Sequence, residues 1–88
     1  VTRSYLVSGR VQGIGFREWV RRTARSHGVR GWVRNREDGR VEAVATAEAE
    51  ILERFESVLR GGSAISRIES LETSDVEETL FADFEVRR

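Results

Sequence analysis

Residues 9–17 read Gly9-Arg10-Val11-Gln12-Gly13-Ile14-Gly15-Phe16-Arg17. The stretch joins a run with strand-like alternation, Ser4–Ser8, to a run with helical spacing, Phe16–His27. Three glycines within seven positions let the backbone turn through positive φ and bring consecutive N–H groups to face one point. A helix starting directly behind the loop adds unpaired donors and the positive end of its dipole. Arg17 stands in the first turn of that helix, with a permanent charge and a planar fork of donors suited to phosphate or carboxylate. Together these features describe an oxyanion cradle. The loop by itself leaves one alternative open, a plain glycine-rich turn followed by an exposed arginine. Two common phosphate loops are excluded. Glu18 falls where a dinucleotide fingerprint needs its third glycine, and a chain without lysine cannot form a Walker A loop.

Working outward from the loop, strand one covers Arg3–Gly9, with Tyr5 and Val7 on one side and Leu6 on the other. Helix one covers Phe16–His27. Its stripe is Phe16, Val20, Ala24 and His27, flanked by Trp19 and Thr23, while Arg21, Arg22 and Arg25 face away. Gly28 is a natural residue to end it. Strand two runs from Val29 to Arg34 or slightly beyond, and strand three from Arg40 to Ala45, with the hairpin signal Asp38-Gly39 between them. Helix two runs from about Ala47 to Arg60, with Thr46 as its N-cap and Ile51, Phe55, Val58 and Leu59 as its buried stripe. Gly61-Gly62 end it. Strand four covers Ile65–Thr73, Ser74–Thr79 form an acidic connector, and strand five covers Phe81–Val86. The order β-α-β-β-α-β with one extra C-terminal strand predicts an α+β, ferredoxin-like split β-α-β sandwich: an antiparallel sheet with two helices on one face.

The composition sets bounds on this plan. Eighty-eight residues suit a single domain, residues 1–88, with one two-layer core. Fifteen basic residues balance 15 acidic ones, so no global field recruits nucleic acid or an anionic membrane, and any affinity for anions is local. No apolar run approaches spanning length. Cysteine is absent, which excludes disulfides and thiol chemistry, leaves the redox compartment open and makes cytoplasm the default expectation. One histidine and three aspartates make a dedicated metal cage a poor reading, so no metal and no cofactor are expected. The chain holds a single glutamine, Gln12, and a single asparagine, Asn35. One lies in the glycine loop and the other in the next distinctive stretch.

That second stretch is Gly31-Trp32-Val33-Arg34-Asn35 followed by Asp38-Gly39-Arg40-Val41-Glu42. Asn35 sits where strand two enters the hairpin. Whether it approaches the glycine loop depends on strand register, and shaping the turn is the simpler role for an asparagine there. The two stretches, in this order and spacing, closely resemble the acylphosphatase pattern G-x-V-Q-G-V-x-F-R followed by G-W-V-x-N-x-x-D-G-x-V-E. The resemblance covers essentially the whole chain, including Gly62-Ser63 before strand four and the ending Phe84-Glu85-Val86. It departs mildly at Ile14, where valine is usual, and at Ser63, where many members carry proline.

The resemblance implies hydrolysis of a carboxyl–phosphate anhydride to carboxylate and inorganic phosphate without a metal. It implies that the loop backbone of Gln12, Gly13, Ile14, Gly15, Phe16 and Arg17 binds the phosphate, with Arg17 supplying the side chain, and that Asn35 orients the attacking water. The implied partners are a small-molecule acyl phosphate and inorganic phosphate, not nucleic acid or a membrane, with the chain expected as a monomer. The residue chemistry agrees: an amide aims a water but takes no proton, and a carboxylate leaves without a general acid. Two other readings are the same module within a larger carbamoyl-phosphate-processing protein and a non-enzymatic ferredoxin-like binding module. The neutral charge and missing aromatic RNA-binding motif weigh against the latter. His27, nearly three helical turns from Arg17, is expected to cap or pack. Packing is likewise expected for Trp19 and Trp32, and a solvated role for Arg10.

Overall fold

The computed structural model describes all 88 residues, Val1–Arg88. The chain runs β1 (Thr2–Arg10), α1 (Phe16–Ser26), β2 (Arg30–Asn35), β3 (Val41–Thr46), α2 (Ala49–Gly61), β4 (Arg67–Val76) and β5 (Phe84–Arg87). The strands form one five-stranded sheet in the order β4-β1-β3-β2-β5. The expected α+β, ferredoxin-like architecture is present, with β5 as the extra strand beside β2, but the sheet is mixed rather than wholly antiparallel as expected. β1 pairs antiparallel with β3 and β4, β2 pairs antiparallel with β3, and β5 joins β2 in parallel. The chain's route explains the parallel pairing. β4 ends beside Thr2, and the following segment passes the Thr2 and Thr46 ends of β1 and β3 before β5 runs alongside β2. Thr79 is fastened on the way: its N–H donates to Thr2 Oγ1 at 3.0 Å and its carbonyl accepts from Thr46 Oγ1 at 2.7 Å.

Alternation along the strands sends one face of the sheet into the core. Tyr5 and Val7 of β1, Val33 of β2, Val41, Ala43 and Ala45 of β3 and Phe84 of β5 are all buried. The helices answer with Phe16, Val20 and Ala24 from α1 and Leu52, Phe55 and Leu59 from α2. Each large apolar side chain here contributes about 1.5–3 kcal/mol by leaving water. Phe55 packs edge-on against Tyr5 at 5.9 Å and against Phe84 at 6.3 Å between ring centroids, so one ring of α2 ties β1 to β5.

Four local expectations are corrected. The buried stripe of α2 is Leu52, Phe55 and Leu59, at i, i+3 and i+7; Ile51 is half-buried and Val58 is 36% exposed. The helix is therefore rotated by about one residue from the expected stripe. Thr46 does not cap α2, which starts at Ala49 behind Glu48 with no side-chain cap. Thr46 remains paired within β3, and its hydroxyl serves Thr79 instead. Ser74, Asp75 and Val76 of the expected acidic connector belong to β4, because β1 extends to Thr2 and offers them ladder partners. β5 starts at Phe84 rather than Phe81, the residue at which pairing with Gly31 begins.

Gly31 is where the sheet has no room for a side chain. Its φ is +149°, and a Cβ there would lie 1.8 Å from the Val44 carbonyl oxygen. The position is buried between β3 and β5, so the backbone cannot relax away from the clash. Gly31→Ala is therefore expected to destabilise the fold by at least ~2 kcal/mol. Urea unfolding of the purified variant checks this, as a lowered midpoint or as a failure to accumulate folded protein.

Candidate active site

The loop between β1 and α1 is pinned at its ends and free in its middle. Val11 and Phe16 are buried, and Ile14 packs half-buried against the core. Gly13 and Gly15 are exposed, both at φ +75°, with nothing within 4 Å of an added Cβ. They are needed for the left-handed backbone, not for space. Gly15 occupies the position just before α1, and no side chain caps that helix start. The N–H groups of Gln12 through Arg17 donate to no acceptor within the chain; the first paired amide is that of Trp19, to the Gly15 carbonyl at 3.1 Å. With the amide of Glu18 they make seven consecutive unpaired donors at a helix start, a place that favours an anion.

Arg17 and Asn35 share one cleft with this loop. The cleft has a volume of about 220 Å³, and its walls include Gly13, Gly15, Phe16, Arg17, Asn35 and Val86. Arg17 is half-buried, and its Nη1 donates to the Arg87 carbonyl at 3.1 Å, which steers the guanidinium along the end of β5. Asn35 reaches the cleft through strand register. Val41 pairs with Val7 on one side and with Asn35 on the other, so Asn35 lies two strands from the segment of β1 that leads into the loop. Its Oδ1 is buried and has no hydrogen-bond donor within the chain. An orphaned carbonyl oxygen at a cleft wall is a place for a water or a ligand hydroxyl.

Gln12 has a side-chain role that the sequence did not reveal. Its Nε2 donates to the Arg36 carbonyl at 2.8 Å and to the Arg40 carbonyl at 2.9 Å. The same turn is closed by Arg36 N–H to the Arg40 carbonyl at 2.8 Å, and Asp38 Oδ1 accepts the Arg40 N–H at 3.0 Å. The Arg40 guanidinium and N–H, with help from Arg36, hold the Asp38 carboxyl well below the usual carboxylate range. Gln12 thus clamps the loop to the hairpin that begins at Asn35. The one available signal was compositional, the lone Gln placed in the loop.

β5 is the other contributor that sequence reasoning missed. Val86 lines the cleft and the Arg87 carbonyl holds Arg17. The strand is fixed by Asp83, which accepts from Arg25 of α1 at 2.7 and 3.2 Å and from the Phe84 N–H at 2.8 Å. The Phe84 N–H and then Arg25 lower the Asp83 pKa. Glu18 also lines the cleft. The remaining candidates stand apart. His27 ends α1, with Nδ1 2.8 Å from the Thr23 carbonyl. Trp19 packs on Phe16 at 5.3 Å between centroids, and the guanidinium groups of Arg87 and Arg34 lie over the Trp32 ring at 5.0 and 5.6 Å. Arg10 is exposed and lines no part of the cleft.

The chain is similar to known proteins over most of its length. The acylphosphatase family model matches residues 3–86. An acylphosphatase of Nitratidesulfovibrio vulgaris is 49% identical over 73 residues, which are 83% of this chain and 73% of that protein. The crystal structure of an acylphosphatase from Bacillus subtilis superimposes with a TM-score of 0.94 at 32% identity, over 99% of this chain and 98% of that one. A full-length HypF in a phosphate- and nucleotide-bound form is similar at a TM-score of 0.87 and 27% identity, over 99% of this chain and 12% of that chain. With its fold, both sequence motifs and the match over residues 3–86 in agreement, this chain belongs to the acylphosphatase family of acyl phosphate hydrolases.

Proposed function

We propose that the cleft hydrolyses acyl phosphates without a metal, with the phosphoryl group held by the N–H groups of Gln12–Arg17 and by the Arg17 guanidinium, and with the water aimed by Asn35. The observation that carries this reading is the run of unpaired amides in a loop whose Gly13, Gly15, Phe16 and Arg17 line a cleft shared with Asn35. A phosphoryl group gives those donors the acceptors they lack, and the α1 N-terminus favours its charge. The orphaned Asn35 Oδ1 accepts a hydrogen bond from the attacking water, leaving a lone pair of the water free for phosphorus.

The water oxygen bonds to phosphorus as the bond from phosphorus to the acyl oxygen breaks. The electron pair of that bond leaves on the carboxylate, and the water proton passes to a phosphoryl oxygen. The products are a carboxylate and inorganic phosphate. The transition state is loose, so placing the reactants and neutralising the phosphoryl oxygens supplies most of the acceleration. The leaving carboxylate has a conjugate acid of pKa near ~4–5 and departs unaided. A phosphate monoester leaves as an alkoxide and needs an acid, and His27, the lone histidine, lies at the far end of α1. The chain acts as a monomer in this reading, since residues of one chain form the whole cleft.

Benzoyl phosphate hydrolysis followed spectrophotometrically in excess chelator tests the reading, and turnover unaffected by the chelator is expected. Arg17→Ala removes most activity and phosphate inhibition, whereas His27→Ala leaves turnover near that of the unsubstituted chain; equal losses would contradict the assigned roles. Asn35→Ala lowers kcat by about 10³, roughly 4 kcal/mol of positioning, and leaves inhibition by phosphate largely intact. Asn35→Asp gives no rescue, because a carboxylate there repels the phosphate. A folded Asn35→Ala variant with full kcat would reduce that residue to a turn former. Gln12→Ala removes two hydrogen bonds to hairpin carbonyls, each of which keeps one backbone donor, and is expected to cost about 1–2 kcal/mol of stability, together with a fall in kcat. Paired unfolding and kinetic measurements on this variant check both effects.

A further inference from the structure

The phosphate cleft contains an acid. Among the residues that line it, Glu18 alone carries a negative charge. It occupies the first turn of α1, where a carboxylate stabilises the helix start but opposes an anion bound at the same end. Glu18 is also a wall of the adjoining groove, of about 480 Å³, which contains Arg21. Arg21 takes the carboxylate with both arms of its fork: Nε donates to Oε2 at 3.0 Å, and Nη2 donates to Oε1. The pair is spaced i, i+3, which turns Glu18 along the helix surface toward the groove. The other nearby arginines do not share this hold. Arg25 is paired with Asp83, Arg17 donates to the Arg87 carbonyl, and Arg22 makes no ion pair with Glu18.

We propose that Arg21 is a positioning residue for anion binding: its two-armed grip holds the Glu18 carboxylate toward the neighbouring groove and neutralises it, and without that grip the carboxylate repels the phosphate and competes for Arg17. This rests on the reading of the cleft as the phosphate site. The hydrogen bond from Arg21 also lowers the Glu18 pKa, in keeping with a charged pair. Arginine suits the task, because a bidentate planar fork fixes the direction of the carboxylate as well as its charge.

The test compares phosphate inhibition, KM and kcat for benzoyl phosphate in Arg21→Ala, Glu18→Gln, the double variant Glu18→Gln/Arg21→Ala and the unsubstituted chain. Arg21→Ala is expected to raise KM and the phosphate inhibition constant roughly tenfold, equivalent to ~1.4 kcal/mol, with kcat changed by less than about twofold. Glu18→Gln binds phosphate at least as tightly as the unsubstituted chain. The double variant returns to within about twofold of it, although it too lacks Arg21. Equal weakening in Arg21→Ala and the double variant would mean that Arg21 attracts the anion directly, and it overturns the proposal. Unchanged inhibition in Arg21→Ala overturns it as well. Loss of phosphate inhibition in the unsubstituted chain overturns the reading of the cleft itself, whereas normal inhibition there combined with either failure above overturns only the role of Arg21.

Discussion

The side-chain amide of Gln12 directs its Nε2 at two carbonyls of the β2–β3 hairpin, those of Arg36 at 2.8 Å and Arg40 at 2.9 Å, and the shape of the cleft depends on that contact. The loop it belongs to contains two exposed glycines and has no internal amide hydrogen bonds before Trp19, so its own backbone provides little to hold a conformation. Burial of Val11 and Phe16 fixes where the loop leaves the sheet and where it enters the helix. Gln12, next to the buried Val11, ties the start of the loop to the hairpin that follows Asn35. A primary amide has two hydrogens on one nitrogen, and two carbonyls on one side of a turn use both. The two halves of the cleft, which come from different parts of the sheet, are thereby held in one geometry before any ligand arrives.

Such prior order matters for a chain with no net charge. With 15 basic and 15 acidic residues, any anion affinity has to come from donors aimed at one point, not from the overall field. Leaving amides unpaired costs stability elsewhere unless water or a ligand satisfies them, and the core of 15 buried apolar residues supplies the surplus. Many of the arginines around the site are already engaged. Arg34 meets Glu42 at 2.7 Å, Arg40 meets Asp38 at 2.7 Å and Arg25 meets Asp83 at 2.7 Å. These exposed pairs add little to stability singly, but they orient the hairpin and β5, the elements that carry Asn35 and the tether of Arg17. The same logic applies to Glu18, which helps start α1 and is then drawn aside by Arg21.

The element order, both helices, the hairpin at Asp38-Gly39 and the alternation of β1 were legible in the sequence because local periodicity and turn chemistry specify them. The glycine loop and Arg17 were legible for the same reason: a left-handed turn and a permanent charge at a helix start are properties of a few neighbouring residues. Tertiary structure decided the rest. Only the register of β3, with Val41 paired to both Val7 and Asn35, brings Asn35 to the loop. Only packing chose Leu52 over Val58 for the core, since both are apolar residues of α2. The clamp by Gln12, the Arg87 carbonyl on Arg17 and the place of Val86 join residues 24 to more than 70 positions apart, and no local pattern encodes such distances. The sequence by itself determined which chemical groups the site would contain; the fold determined which of them meet, because hydrogen-bond register and core packing act between segments that the chain separates.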